Sequence, residues 1–260
     1  MIDIGVNLTN SRFDKDREDV IQQAQSAGIK QLIITGTNVF ESQQALDICQ
    51  QFSSLYCTAG VHPHDADNVG HNYLQELENL AQNDFVKAIG ECGLDFNRNF
   101  STPENQQRVF TEQLELAKQL SLPVFLHQRD AFNTWQTILK EQLNHIPGGV
   151  SHCFTGDLNE LKACLDMGLY IGITGWICDE RRGQELFDIA KYIPLERIMV
   201  ETDAPYLTPR NIRPKPKSSR NEPKYLPFVV RTLAKAMKVD EDELIKHSSK
   251  NAMQLFRLAG

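Results

Sequence analysis

Hydrophobic and β-branched residues recur along the chain in short runs, and longer segments with helical spacing separate these runs. Runs of this length and composition predict strands. They are apolar on both faces, a pattern typical of parallel strands that helices cover on the outside. The predicted strands are Ile2–Leu8, Gln31–Thr37, Tyr56–His62, Val86–Leu94, Val124–His127, Gly149–Phe154, Tyr170–Gly175 and Ile198–Asp203.

The segments between the strands show helical spacing and helix start signals. Pro103–Leu120 is the clearest example, since four of its apolar residues fall on one face. Thr102 precedes it as the expected N-cap, and proline is well tolerated at the first helical position. Two more helices are predicted near Leu226–Met237 and Glu241–Leu258.

Eight strands that alternate with helices in 260 residues predict a single (β/α)8 TIM barrel. The competing architecture is a doubly wound open sheet, which usually carries a glycine-rich phosphate loop after an early strand. No such loop follows the first strand here. No linker or repeat divides the chain, so we expect one domain over residues 1–260.

Ionisable side chains stand at the ends of several predicted strands. In a barrel the carboxyl ends of the strands converge on one face, where active sites are built. Burying several such groups without a metal or mutual pairing would cost several kcal/mol. The sequence therefore predicts a metal site at this face. The residues concerned are His62, His64, Glu91, Asp95, His127, His152, Glu201 and Asp203.

A carboxylate with two imidazoles can hold a divalent cation and leave positions open for water and substrate. The cation lowers the pKa of bound water, and a further carboxylate such as Asp203 can take the proton. Imidazole ligands favour Zn²⁺ or Mn²⁺, but availability also matters and Mg²⁺ is the ion expected in function. This chemistry is hydrolysis, and it leaves amides, lactones and phosphodiesters open as substrates.

Composition limits the partners. The net charge of −7 disfavours broad, nonspecific binding of duplex DNA. The polar stretch Pro209–Pro223 nevertheless carries five Lys and Arg residues against one acid, Glu222. We interpret it either as a solvated loop or as a phosphate clamp at the rim of the pocket. Six isolated cysteines indicate reduced thiols in a cytoplasmic protein, and no signal peptide or membrane span is visible.

Four motifs, in this order and spacing, resemble the TatD family of metal-dependent deoxyribonucleases. They are "AIGECGLDF", "PVFLHQRDA", "VSHCFTG" and "IMVETDAPYL", the last followed by "RNEP". The resemblance runs from the first strand to beyond Asn221. It implies a barrel of the amidohydrolase type and a divalent-metal-dependent 3′–5′ exonuclease of single-stranded DNA and RNA. It also implies a cytoplasmic enzyme with a role in DNA repair.

The resemblance assigns roles residue by residue. Glu91, His127 and His152 match the family's metal ligands, and Asp203 matches its strand-eight aspartate, a metal ligand or general base. His62 falls where the family has a pocket histidine that contacts the scissile phosphate. Glu91, Asp203 and His62 are thus the expected catalytic residues. Arg129, His64, Arg220 and Asn221 are expected to line the substrate entrance.

One departure from the family pattern concerns the first strand. Many members have His-x-His there, whereas this chain has Gly5 and Asn7. Glycine offers no side-chain donor and an amide is a weak ligand. We therefore expect one tightly held metal, with a second weak or recruited by substrate. A barrel of this size can be monomeric, and a monomer is expected.

Two other functions remain open at this point. A small-molecule amidohydrolase or lactonase could use the same barrel, although a neutral substrate needs no basic rim. A degenerate barrel that only binds nucleic acid would explain the loss of His-x-His. Retention of Glu91, His127, His152 and Asp203 argues against that reading.

Overall fold

The chain folds into an eight-stranded parallel barrel. The structure is a computed structural model that describes residues 1–259; the predicted domain extends to Gly260, which lies outside the described residues. Each strand pairs in parallel with the next along the chain, in the order β1 to β8. The strands are β1 (Ile2–Val6), β2 (Gln31–Ile34), β3 (Leu55–Ala59), β4 (Val86–Asp95), β5 (Val124–Arg129), β6 (Gly149–Ser151), β7 (Tyr170–Ile173) and β8 (Ile198–Val200). The predicted TIM barrel is confirmed.

The barrel closes through contacts just past the end of β8. The backbone amide of Asp203 donates to the carbonyl of Gly5 at 2.8 Å, and Val6 pairs in parallel with Ala204. The buried carboxylate of Asp3 accepts a hydrogen bond from the backbone amide of Thr202 at 2.9 Å. The first strand is thereby tied to the segment after the last strand, on the face where the predicted site lies.

Helices cover the outside of the barrel. The predicted helix Pro103–Leu120 is confirmed, and Thr102 caps it by accepting from the backbone amide of Asn105. The last predicted helix ends two residues earlier than expected. The helices are α1 (Arg17–Ser26), α2 (Val39–Cys49), α3 (Tyr73–Ala81), α4 (Pro103–Leu120), α5 (Phe132–Gln142), α6 (Leu158–Asp166), α7 (Gln184–Ile189), α8 (Leu226–Met237) and α9 (Glu241–Phe256). Within residues 1–259, none of them combines the length and hydropathy that crossing a bilayer requires.

Apolar side chains fill two layers. One layer lies between the strands and the surrounding helices, and the other fills the barrel interior with residues such as Ile4, Ile33 and Phe125. Residues of α9 join the interior layer, and the ring of Phe256 lies 6.5 Å from that of Phe125. Helix α9 thus adds apolar side chains to the barrel interior, while the ionisable residues predicted for the site lie at the carboxyl ends of the strands.

Several strands end sooner than the sequence predicts. The apolar runs continue past the last ladder hydrogen bond, so β3 and β8 stop before the site residues that follow them. His62, for example, is the N-cap of a short 3₁₀ helix, Pro63–Asn68. These loop residues satisfy their backbone groups in caps and turns, which lets their side chains turn toward the barrel axis.

Candidate metal centre and active site

A buried glutamate gathers three histidines at the carboxyl end of the barrel. Glu91 comes from β4, and its Oε1 atom lies 2.9 Å from Nδ1 of His127 and 2.9 Å from Nε2 of His152. The same oxygen lies 3.5 Å from Nε2 of His62. Side chains from three regions that are far apart in sequence therefore meet at one carboxylate oxygen, as the strand ends predicted.

Close packing between β4 and β5 sets the spacing of Glu91 and His127. Gly93 has φ +149°, and a Cβ atom there would lie 1.8 Å from the carbonyl oxygen of His127. Only glycine fits so close to a neighbouring backbone. The strand that carries Glu91 can thus lie directly against the strand that carries His127.

The charges of the cluster support one another. Burial opposes the charge of His152, but the facing carboxylates of Glu91 and Glu201 outweigh this effect and raise its pKa well above the usual value. Burial alone would raise the pKa of Glu91, yet the charge on His152 and hydrogen bonds from His127 and His152 lower it well below the usual range. Without a cation, the raised pKa values of His127 and His152 keep protons on these two rings, which compensate the buried carboxylate.

The cluster fits a divalent cation. Donor atoms at neighbouring positions of an octahedral cation, each roughly 2.1 Å from it, lie about 3 Å apart, and the 2.9 Å distances from Glu91 to His127 and to His152 match this spacing. The Nε2 atom of His127 is buried and has no hydrogen-bond partner, although an oxygen of Asp95 lies at 3.5 Å. This nitrogen faces Asp95 rather than Glu91, so the atom of His127 that is available to a cation beside Glu91 is Nδ1.

Two histidines compete for the role of third ligand. By mutual spacing, His62, Glu91 and His127 form a group whose donor atoms all lie within 4.8 Å of one another, although His152 is nearer than His62 to the Glu91 oxygen. Hydrogen bonding favours His152 instead. The Nδ1 atom of His62 accepts from the backbone amide of His64 at 3.1 Å, so in the neutral ring the proton is on Nε2, which then cannot ligate.

His152 has the opposite arrangement. Its Nδ1 atom lies 3.0 Å from Oε2 of Glu201, a carboxylate that can only accept when ionised. When a cation displaces the second proton of the ring, the proton that stays on Nδ1 leaves the lone pair of Nε2 on the Glu91 side of the cluster. A histidine held by a carboxylate in this way is the usual ligand arrangement in metal sites.

Asp203 and Asn7 form a separate pair at the mouth of the barrel. The side-chain amide of Asn7 donates to Oδ1 of Asp203 at 2.9 Å. Burial raises the pKa of Asp203 to about 7. Asn7, which replaces one histidine of the family pattern, therefore orients a carboxylate.

Glu201 occupies the space that a side chain at position 5 would need. A Cβ atom at Gly5 would lie 2.2 Å from Oε2 of Glu201, and one at Gly172 would lie 2.5 Å from Oε1. Glu201 is fully buried and also accepts from the backbone amide of Cys153 at 2.5 Å. The sequence placed Glu201 at a strand end but gave it no role. Gly5 on β1 and Gly172 on β7 flank β8, and glycines on both sides of this strand were the signal that could have indicated a buried side chain there.

Comparison with known proteins gives a consistent result. The TatD related DNase family model matches residues 2–257. The chain belongs to the TatD-related DNase family. Two curated relatives are both called 3′-5′ ssDNA/RNA exonuclease TatD, one from Pectobacterium carotovorum at 53% identity and one from Escherichia coli at 51%, each over the full length of both chains.

Solved structures of TatD proteins share the fold. A TatD homolog from Escherichia coli superposes with a TM-score of 0.91 at 28% identity, over 100% of this chain and 98% of that one. A TatD family hydrolase from Entamoeba histolytica gives 0.90 at 28% identity, over 98% and 97%. As a member of this family the chain is a hydrolase that acts on nucleic acid.

The four residues predicted to line the substrate entrance of this TatD-family chain fall into two groups, of which His64 and Arg129 are the more exposed. His64 is partly exposed, and its Nε2 atom lies 2.8 Å from the buried carboxylate of Asp95. Arg129 is exposed at the end of β5. Both are therefore close to the mouth of the pocket.

Arg220 and Asn221 are held within the loop after β8. The guanidinium of Arg220 donates to both carboxylate oxygens of Asp16, at 2.8 and 2.7 Å, and to Glu222 at 3.0 Å. Asn221 is fully buried and donates to the carbonyl of Thr202 at 2.9 Å. These contacts fit a structural role that anchors the loop, and substrate contact by either residue stays a prediction.

The basic rim is also partly neutralised. Asp179 pairs with three arginines, Arg181 at 3.3 Å, Arg182 at 3.0 Å and Arg210 at 3.7 Å. The guanidinium of Arg182 lies 4.3 Å from the ring of Trp176, which is half-buried. The loop after β7 thus presents a compact cationic cluster rather than separate free charges.

Proposed function

We propose that this chain is a divalent-metal-dependent 3′–5′ exonuclease of single-stranded DNA and RNA. One observation carries the proposal: a single oxygen of Glu91 lies 2.9 Å from a nitrogen of both His127 and His152. Those three residues would hold one cation, with Mg²⁺ as the ion in function and Mn²⁺ or Zn²⁺ as substitutes. The names of the curated relatives support the nuclease activity and its polarity.

The bound cation would supply a polarised phosphodiester and a water of lowered pKa. Asp203 takes the proton from the attacking water, because Asn7 holds its Oδ1 atom and leaves the other oxygen for the proton. Neutral His62 donates from Nε2 to a nonbridging oxygen of the scissile phosphate, consistent with its low pKa of about 3, which burial causes. Glu201 keeps the ring of His152 in the orientation that ligation requires.

We also propose a cytoplasmic monomer that acts in DNA repair. Net charge −7, free cysteines and the TatD resemblance support this assignment. The acidic surface favours local capture of a strand end over broad binding to duplex.

A digestion time course on a 5′-labelled single strand tests the proposal. With Mg²⁺ or Mn²⁺ the wild-type protein should shorten the strand from its 3′ end, and Glu91→Ala should remove this activity while the fold is retained. The matched duplex should be degraded more slowly. Turnover of a lactone without shortening of the strand would instead indicate a small-molecule amidohydrolase.

A further inference from the structure

The exposed aromatic side chains are unevenly distributed. Within residues 1–259, the large apolar side chains that remain half or more exposed are Phe40 at 71%, Phe100 at 62%, Tyr192 at 50% and Tyr206 at 50%. Three of them follow strands β2, β4 and β8 and so lie on the catalytic face. Tyr192 precedes β8 and lies at the opposite end of the barrel. Exposed apolar groups collected around a pocket indicate a binding surface.

Phe100 is connected to the metal cluster by a series of ring contacts. Its ring centroid lies 4.8 Å from that of His64, in an edge-to-face arrangement. The His64 ring lies 4.3 Å from His62, which lies 4.5 Å from His127. A base resting on Phe100 would therefore lie on the outer side of His64, with His62 between His64 and His127.

Tyr206 borders the pocket on the other side. Its backbone amide donates to the carbonyl of Asp203 at 3.0 Å, and its hydroxyl accepts from the side chain of Asn10 at 3.2 Å. Strands β4 and β8 lie half the circumference apart in the eight-stranded barrel. Phe100 and Tyr206 thus flank the mouth from opposite sides.

Each of these two rings has an exposed arginine beside it. The guanidinium of Arg98 lies 5.8 Å from the Phe100 ring, and that of Arg12 donates to the carbonyl of Pro205, next to Tyr206. Rings with neighbouring cations are how proteins bind single strands without reading sequence. Phe40 differs, because the groove beside it, of about 370 Å³, is lined by Glu41, Asp65 and Glu76.

We infer that Phe100 and Tyr206 are stacking platforms for the two nucleobases on either side of the scissile phosphate. The inference rests on the proposed nuclease function and extends it to substrate selection. Bases in a duplex are already stacked and cannot lie flat on either ring. Every base has a π-face, so the two platforms select for unpaired strands without selecting for sequence.

Fluorescence anisotropy with a labelled single-stranded oligonucleotide tests this inference. Phe100→Ala and Tyr206→Ala should each raise the Kd by about fivefold or more, since one base–aromatic stack is lost. Tyr206→Phe should retain wild-type affinity. On an oligonucleotide whose two 3′-terminal positions are abasic, the alanine variants should bind like the wild type.

Tyr192→Ala is the matched control, because Tyr192 is as exposed as Tyr206 and has Lys191 at 5.2 Å from its ring. It should leave the Kd unchanged. Equal effects of Tyr192→Ala and Tyr206→Ala, or equal effects on normal and abasic strands, would overturn the inference. A wild type that binds the strand in this way but does not cleave it would contradict the proposed function and leave the platforms standing.

Discussion

At the residue scale, the site depends on how each histidine is held as well as on which histidines are present. His152 lies nearer to the Glu91 oxygen than His62 does, at 2.9 Å against 3.5 Å, but the mutual spacing of donor atoms groups His62 with Glu91 and His127. The partners on the far side of each ring reverse that choice, since a backbone amide faces His62 and a carboxylate faces His152. Groups that do not touch the metal therefore decide which histidine has a nitrogen lone pair available to ligate it.

Replacing Glu201 by glutamine should therefore weaken metal binding. The amide would have to present one nitrogen to either His152 or the amide of Cys153, both of which Glu201 now serves as an acceptor. We expect Mn²⁺ affinity to fall by roughly 10- to 100-fold, as measured by isothermal titration calorimetry. The exposed Glu196→Gln is the control. Unchanged affinity in Glu201→Gln would mean that His152 needs no carboxylate partner.

Much of the site could be predicted from the sequence at this scale. His127 and Glu91 lie on strands whose apolar pattern is plain, so their convergence followed from the barrel. The role of Glu201 could not be predicted, because it depends on the absence of side chains at Gly5 and Gly172, and sequence pattern does not show which buried volumes coincide.

At the scale of elements, the sequence predicted features that depend on neighbouring residues, but it did not predict contacts between residues far apart in the chain. Helix α4 begins and ends as predicted, because its cap, first-turn proline and apolar face all lie within the segment. The basic loop after β8 was interpreted by composition alone. Its arginine at position 220 pairs with Asp16, which is 204 residues away in sequence, and no local pattern indicates such a partner.

Arg220→Ala should consequently reduce stability more than substrate binding. It removes three charge-assisted hydrogen bonds to Asp16 and Glu222 from a side chain that is 17% exposed. We expect the free energy of unfolding in urea to fall by roughly 1–3 kcal/mol, whereas the exposed Lys217→Ala should leave it unchanged. A phosphate-binding role would appear instead as a salt dependence of DNA binding that is shallower by about one unit.

At the scale of the whole molecule, the alternation of eight strands and helices was sufficient to predict a closed barrel. The exact closure was not predictable, since it runs through Asp3, Gly5 and Ala204 in irregular backbone rather than a regular ladder. The same contacts position Asp203, so the seam of the barrel and the proposed general base form one structural unit.

Thermal unfolding should show a single transition that Mn²⁺ shifts upward. One domain over residues 1–260 predicts one cooperative transition, and a cation that binds only the folded state adds about 2.7 kcal/mol at 100 times its Kd. For a chain of this size the melting temperature should rise by about 5 °C or more. Scanning calorimetry with Glu91→Ala provides the control, which should lose the shift. Two separate transitions would contradict the single-domain prediction.

The absence of a side chain at Gly5 determines where the carboxylate of Glu201 can lie. With no side chain there, Glu201 has room to sit behind His152; with even one added carbon, its oxygen at 2.2 Å would have to turn away. Gly5 itself is not assigned to cation or substrate binding, yet it determines whether Glu201 can contact His152. Gly5→Ala would move the carboxylate of Glu201 away from His152, although every proposed metal ligand would still be present.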